Sequence, residues 1–481
     1  VHDHPNPAAP ATSRRTLLKA AGAAFLGASA TLAGAGRAGA AATRNTADVI
    51  VIGGGFAGVT AARELKKAGL SSIILEARGR LGGRTWSTTF AGEPIELGGE
   101  AIDPKQPNVW AEAQRYGIAT TSGGGLDSFV MPSGSGFTIL SPGAASTRLA
   151  QLFTPFFDGS AALFPNPFDP FSGTGLQAFD QLSMRDRLNQ LAYAPADEAW
   201  INGTTAGLSG GTSARGAYTM LAQSWALSGG TYEGYVSINT YGVQGGTAAL
   251  LNAILADSQA QVRLNSPVAA VTTAGKTVTV LTTTGAVYVA PRVVVAVPVN
   301  LWKTIKFLPG LPAEFGAVSR AGIGVPNSKK IFMHVRGGAA GAFVAHPPEG
   351  FPISTTVPHS TLADGTRIIF CFSTDPQVTG TSVAQMQGLL SQLSPGIQVL
   401  ATTAQNWGAD RYSLGGWSCR QPGMLTGPYR TIQQPVGRLA FAGSDIASGW
   451  SGYIDGAVES GKTAARQVLA MSSAGDPVLV G

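Results

Sequence analysis

The sequence predicts an α/β fold of two interleaved domains, one built on a parallel sheet and one of mixed α+β structure. Three observations predict it. The chain has 481 residues, more than the roughly 250–300 at which a single core stops growing. A short apolar strand, a glycine turn and an amphipathic helix follow one another near the N-terminus, over residues 49–68, and again near the C-terminus, over residues 439–469. Between them, Gly-, Ser- and Pro-rich loops alternate with a helical stretch at 216–227 and strand-like runs around Lys330 and Ile368. The expected division gives residues 45–125, 241–298 and 400–470 to the first domain and 126–240 and 299–399 to the second.

Residues 1–40 read as a segment apart. SRRTLLK, from Ser13 to Lys19, precedes a weakly apolar run and then Ala38-Gly39-Ala40, the pattern of a twin-arginine signal peptide with a small-residue cleavage site. The run is rich in Ala and Gly and shorter than the roughly 20 apolar residues that span a bilayer. Export to the periplasm or the medium is therefore expected, with the twin-arginine machinery as a partner and no membrane anchor. That route carries folded proteins, which suits a tightly held prosthetic group acquired beforehand.

Removing the leader takes away Arg14, Arg15, Lys19, Arg37 and Asp3, so the formal net charge falls from +6 to +3. No basic run is interleaved with aromatics, and a nucleic-acid partner is not expected. Cys371 and Cys419 lack metal-ligand spacing, and their pairing is left open. His334, His346 and His359 are scattered, so no metal site is expected.

In ADVIVIGGGFAGVTAARELKKAGLSSIILEARGRLGGRTW, from Ala47 to Trp86, the β-branched run 49–52 is followed by Gly53, Gly55 and Gly58 and a helix over 59–68. A second strand, 72–75, ends at Glu76. The first two glycines allow a tight turn and close approach to a pyrophosphate, the third lets helix and strand pack, and the acid is placed for a ribose hydroxyl. This is a dinucleotide cradle. The carboxylate does not choose between NAD and FAD.

The next residues do choose. Arg78, Arg80, Gly82, Gly83 and Arg84 in ARGRLGGRT resemble the extended fingerprint of the glutathione-reductase-like flavoproteins, and the resemblance implies a glutathione-reductase-like (Rossmann-type) FAD-binding domain interleaved with the α+β substrate-binding domain. Near the C-terminus, GRLAFAGSDIASGWSGYIDGAVESG places another strand and glycine turn before a helix that starts after Tyr453. Unpaired amides at a helix start favour negative charge, such as that on a reduced isoalloxazine.

Together with ELGGEAI at 96–102 and YGVQGGTAALLNAIL at 241–255, these blocks resemble the flavin monoamine oxidase family over nearly all of the chain after the leader. GGFAGVTAARE, QPNVWAEAQRYG and the segment from Lys330 to Val335 look most like its bacterial branch, which oxidises nicotine, pseudooxynicotine and related amines. The resemblance implies cofactor contacts at Gly53, Gly55, Gly58, Glu76, Arg84 and Gly99, an acid near the ribityl chain at Asp445, a backbone amide at the flavin ring from Ile454, and a backbone contact to adenine from Val268. Trp417 and Tyr453 match an aromatic cage, and Lys330 matches the lysine that holds a water at flavin N5, with Lys329 as the alternative if the register slips by one. Gly416 stands where some relatives carry the cysteine that bonds to the flavin, so non-covalent FAD is expected.

The expected activity is oxidation of a primary or secondary amine, alkaloid-like or alkyl/aralkyl, to an imine, with electrons passing to O2 or to a periplasmic carrier. The alternatives are an L-amino-acid oxidase, a carotenoid-type desaturase and a flavin-binding protein without catalysis. Glu100 and Asp103 follow Gly98-Gly99 where an amino-acid oxidase would want an arginine. Glu100 is either a substrate-binding group for a second amine or a solvent-facing loop carboxylate. A homodimer is left open.

Overall fold

The computed structural model describes residues 45–123 and 125–473; the twin-arginine segment expected over 1–40 lies outside them. Val49–Ile52, the run of four β-branched residues, is fully buried and forms the centre of a five-stranded parallel sheet. The strand order is Leu439–Phe441, Arg292–Val295, Val49–Ile52, Ser72–Leu75 and Gln261–Arg263. A strand buried on both faces reads as a continuous apolar run, and the two parities of this one enter different cores. Ile50 and Ile52 pack towards Val271, Val278 and Val280, while Val49 and Val51 pack towards the helices.

On the helical face, Phe56–Lys67 lies beside Ile454–Ser473, so close that a Cβ on Gly461 would stand 2.4 Å from the Ala57 carbonyl oxygen. On the other face is a four-stranded sheet of Val287–Ala290, Thr277–Thr282, Val268–Ala274 and Lys306–Leu308. All the parallel strands end on one edge, and their carbonyls bond across it: Gly53 N to Leu75 O at 2.8 Å, Ala296 N to Ile52 O at 2.8 Å and Ala442 N to Val295 O at 3.0 Å. This carboxyl edge is where an open parallel sheet binds ligands.

A separate seven-stranded sheet runs Ile397–Asn406, Lys329–Gly337, Arg367–Ser373, Thr356–Thr361, Phe343–Ala345, Ser128–Ser133 and Gly136–Leu140. Strand Lys329–Gly337 is antiparallel to both neighbours, with Lys330 opposite Phe372 and Gln405. The expected boundary at residue 400 therefore falls inside a strand, and residues 400–406 belong to this sheet. Helices Pro142–Phe156 and Pro195–Leu208 pack on its strand Ser128–Ser133, and Tyr218–Leu227 joins an aromatic cluster that includes Phe153, Phe157 and Trp225. The helix expected from 216 starts at Tyr218 because Ala217 is extended (φ −67°, ψ 136°). Among the described residues, no helix is long and apolar enough to cross a membrane.

Candidate active site

The glycine turn explains its own residues. Gly53 has φ +111°, and a Cβ there would meet the Ala296 carbonyl oxygen at 2.6 Å. A Cβ on Gly58 would come within 2.0 Å of the Gly53 carbonyl oxygen, so only glycine lets the helix lie this near the strand. Gly55 is different: a Cβ there would meet no atom closer than 3.8 Å, and the space beside it is open. The helix Phe56–Lys67 starts at Gly55 with no side-chain cap, leaving its first amides for an anion.

Glu76 closes the cradle. It is buried, with Oε2 accepting from Gly54 N at 2.8 Å and Oε1 from Arg78 N at 2.8 Å. Each oxygen keeps a lone pair for a ribose hydroxyl. Arg84 reaches across to the C-terminal block, donating to Gly416 O at 2.8 Å and Ser444 Oγ at 3.0 Å and pairing with buried Asp445 at 2.8 Å. Asp445 in turn accepts from Val299 N at 3.1 Å. Asp445, expected as an acid near the ribityl chain, is buried behind the cavity wall and anchors Arg84. Two further carboxylates fix the start of the C-terminal helix. Asp455 accepts from the amides of Asn108 and Val109 at 2.6 and 2.9 Å, and Glu459 from those of Ser448 and Gly449 at 2.8 and 2.9 Å. Burial raises the pKa of both despite these bonds.

One cavity of about 990 Å³ joins these parts. Gly53, Gly55, Glu76 and Val268 line it at one end, Arg84, Gly99 and Ile454 also line it, and Lys330, Trp417 and Tyr453 stand on the same wall system. Its size is at the upper end for a cofactor or ligand pocket. Gly58 serves helix packing instead.

Trp417 is held by an Nε1 hydrogen bond to Leu208 O at 2.8 Å and an edge contact with Phe372 at 5.4 Å. Tyr453 packs edge-on against Trp450 at 5.1 Å, and Trp450, fully buried and bonded to Lys105 O, is core. The segments that carry Trp417 and Tyr453 come together beside Gly452, where a Cβ would lie 2.7 Å from Ser418 Cβ and 3.2 Å from Ser418 N. Enclosure pushes the Tyr453 phenol up to about 12, so it stays neutral.

The two lysines separate as strand alternation requires. Lys329 donates to the carbonyls of Asn327 and Asp375 on the far side, and burial lowers its pKa. Lys330 faces the cavity, bonds the carboxylate of Glu100 and the Gly98 carbonyl, and lies 4.4 Å from the Phe370 ring centroid. Glu100, expected as either a substrate-binding group or a loop acid, lines the cavity and is engaged by Lys330. His359 Nδ1 is 3.8 Å from its other oxygen. Cys371 and Cys419 are free and buried, and burial raises the Cys419 thiol to about 11. Among the described residues, no cluster of His, Cys, Asp and Glu could hold a metal.

Sequence reasoning missed Phe370, Phe372 and His346. The first two alternate on one face of Arg367–Ser373, and the period-two pattern opposite Lys330 was the available signal.

The description flavin containing amine oxidoreductase belongs to a family model that matches residues 56–469. The chain belongs to this family. FAD is its cofactor, and the open cradle beside Gly55, the uncapped helix and Glu76 fit it. The amine oxidoreductase is 33% identical over 431 residues to nicotine dehydrogenase of Pseudomonas putida, covering 89% of each chain. It is 34% identical over 441 residues to pseudooxynicotine dehydrogenase of a Pseudomonas species, covering 88% of this chain and 86% of that one. A solved structure of putrescine oxidase bound to putrescine superposes with a TM-score of 0.73 at 22% identity, over 88% of this chain and 99% of that one, and shares the fold.

Proposed function

We propose that the substrate is an alkaloid-like or aralkyl amine, primary or secondary, admitted as the neutral base between Trp417 and Tyr453. The observation that carries this reading is the single cavity running from the glycine turn to those two rings. FAD, when bound, supplies the hydride acceptor. Trp417 and Tyr453 exclude water, disfavour the charged ammonium by desolvation, and offer ring faces to the positive charge that develops on nitrogen. Lys330, oriented by Glu100 and Phe370, holds a water with its ammonium on the cavity wall. The names of the relatives, both dehydrogenases of nicotine-type amines, support the alkaloid class.

Three of the basic groups on the wall argue against an amino-acid substrate. Arg78 is paired with Asp410, Arg84 with Asp445 and Lys330 with Glu100, so none of these three is spare for a carboxylate, and Arg411, on the same wall, stacks on the Tyr412 ring. Gly416 supports non-covalent FAD. Export by the twin-arginine route, with O2 or a periplasmic carrier as electron acceptor, is part of the same proposal and rests on the leader pattern alone.

Anaerobic mixing of the FAD-loaded protein with a panel of amines tests the reading. Bleaching of the flavin absorbance by aralkyl or heteroaryl amines is expected, with none from L-amino acids. Bleaching by amino acids alone would overturn it.

A further inference from the structure

Beyond the cage, the cavity wall carries a polar ring that the proposed mechanism does not use. His346 follows strand Phe343–Ala345, with its amide bonded to Val130 O at 3.1 Å and its ring 6.3 Å from that of Phe129. Nδ1 lies 3.4 Å from Thr355 Oγ1, and Nε2 has no protein partner among the described residues. Both His346 and Thr355 line the cavity, which apolar Phe129 and Val344 and the hydroxyl-bearing Thr204 and Ser354 also line. The distance to the cage is short. Thr355 accepts from Phe372 N at 3.2 Å, and the Phe372 ring meets the edge of Trp417.

We infer that His346 determines specificity at the end of the substrate remote from the amine, donating an Nε2–H hydrogen bond to an uncharged acceptor such as a pyridine-type nitrogen or a carbonyl oxygen. This rests on the amine-oxidising reading of the same cavity. The inferred tautomer has the Thr355 hydroxyl donating to Nδ1 and the proton of the neutral ring on Nε2; the opposite tautomer would make Nε2 an acceptor and favour a donor-bearing amine instead. Once a substrate displaces water from this wall, a donor without a partner is costly, and the group that relieves the cost is an acceptor on the ligand. Burial depresses the His346 pKa to about 4, so at neutral pH the ring adds no positive charge to repel an incoming amine. A second ammonium, which has only protons to offer, does not satisfy this donor.

The test compares pyridylpropylamine, an amine carrying a tertiary amide carbonyl at the same distance and phenylpropylamine, matched in reach and differing in the remote acceptor. The dissociation constant for each is read with the oxidised FAD-loaded protein by rapid mixing, from the initial absorbance perturbation and before any bleaching. The wild-type protein should bind at least one acceptor-bearing amine about tenfold more tightly than the phenyl compound, the order expected for one buried hydrogen bond. His346→Leu should abolish that ratio, and His346→Gln should restore part of it, with flavin content and Tm showing that the variants fold. Which of the two acceptor amines is favoured tells ring nitrogen from carbonyl. An unchanged ratio in His346→Leu, or equal wild-type binding of all three, overturns the inference. Tight binding of the acceptor amine without subsequent bleaching would instead sink the proposed reaction and leave the contact standing.

Discussion

The ammonium of Lys330 rests on the carboxylate of Glu100 while its other side faces the Phe370 ring, so two different kinds of negative potential hold one buried cation. Lys330→Met should slow reoxidation by O2 more than it slows reduction by amine. Glu100→Gln removes the charge that holds the Lys330 ammonium in place on the cavity wall. It should therefore also slow reoxidation more than reduction, by a smaller factor than Lys330→Met. Stopped-flow measurement of both half-reactions decides the point, and wild-type reoxidation in Glu100→Gln would remove the pairing from the mechanism.

The cage makes its own pH prediction. A free alkylamine has a pKa near that of lysine, about 10.4, so on the order of one molecule in a thousand is neutral at pH 7. Desolvation between Trp417 and Tyr453 lowers that value in the complex. The reduction rate at saturating amine should rise with pH to a plateau, with an apparent pKa below that of the free amine. Trp417→Ala admits water and also frees the Leu208 carbonyl, so its apparent pKa should move up towards the solution value. A downward move would count against the cage.

Gly416 has a packing reason to lack a side chain. A Cβ there would stand 2.3 Å from Ser328 Oγ and 2.8 Å from Ser328 Cβ. Acid precipitation of the wild-type protein should release yellow FAD to the supernatant, and pelleted flavin would refute non-covalent binding. Gly416→Cys should lower stability by about 1–3 kcal/mol, the usual cost of overpacking, visible as a lower Tm.

His346 also supplies a test that needs no substrate. Its pKa is depressed from 6.5 to about 4 in the folded chain, so the stability it contributes is fully present above pH 6.5 and is lost as pH falls towards 4. Over that window His346→Leu should lose less Tm than the wild type. Parallel curves would show that the ring is not held neutral.

The two glycine-turn blocks were legible because their chemistry is local. Strand, turn, helix and acid follow in one stretch, and the clash a Cβ on Gly58 would suffer leaves a single residue type at that position. The choice between Lys329 and Lys330 was not legible, since a one-residue slip exchanges faces and only pairing with Phe372 and Gln405 fixes the register. Strand Ile397–Asn406 was cut at 400 because its later residues are all half-buried and show no alternation. His346 escaped notice for another reason. Its surroundings come from Phe129, Thr355 and the neighbours of Phe372, and no sequence spacing records that meeting.

The cradle has an order of assembly written into it. Asp455 bonds the amides of Asn108 and Val109 across 346–347 residues of chain, and Leu439–Phe441 supplies an edge of the central sheet whose middle strand begins at Val49. Synthesis runs from the N-terminus onward, so the glycine turn at 53–58 is made long before the segment that completes it. Until residues 439–473 are made, that turn has no C-terminal helix against it and Arg84 has no Asp445. A truncation that loses Ile454–Ser473 should therefore leave an apoprotein whatever the supply of cofactor.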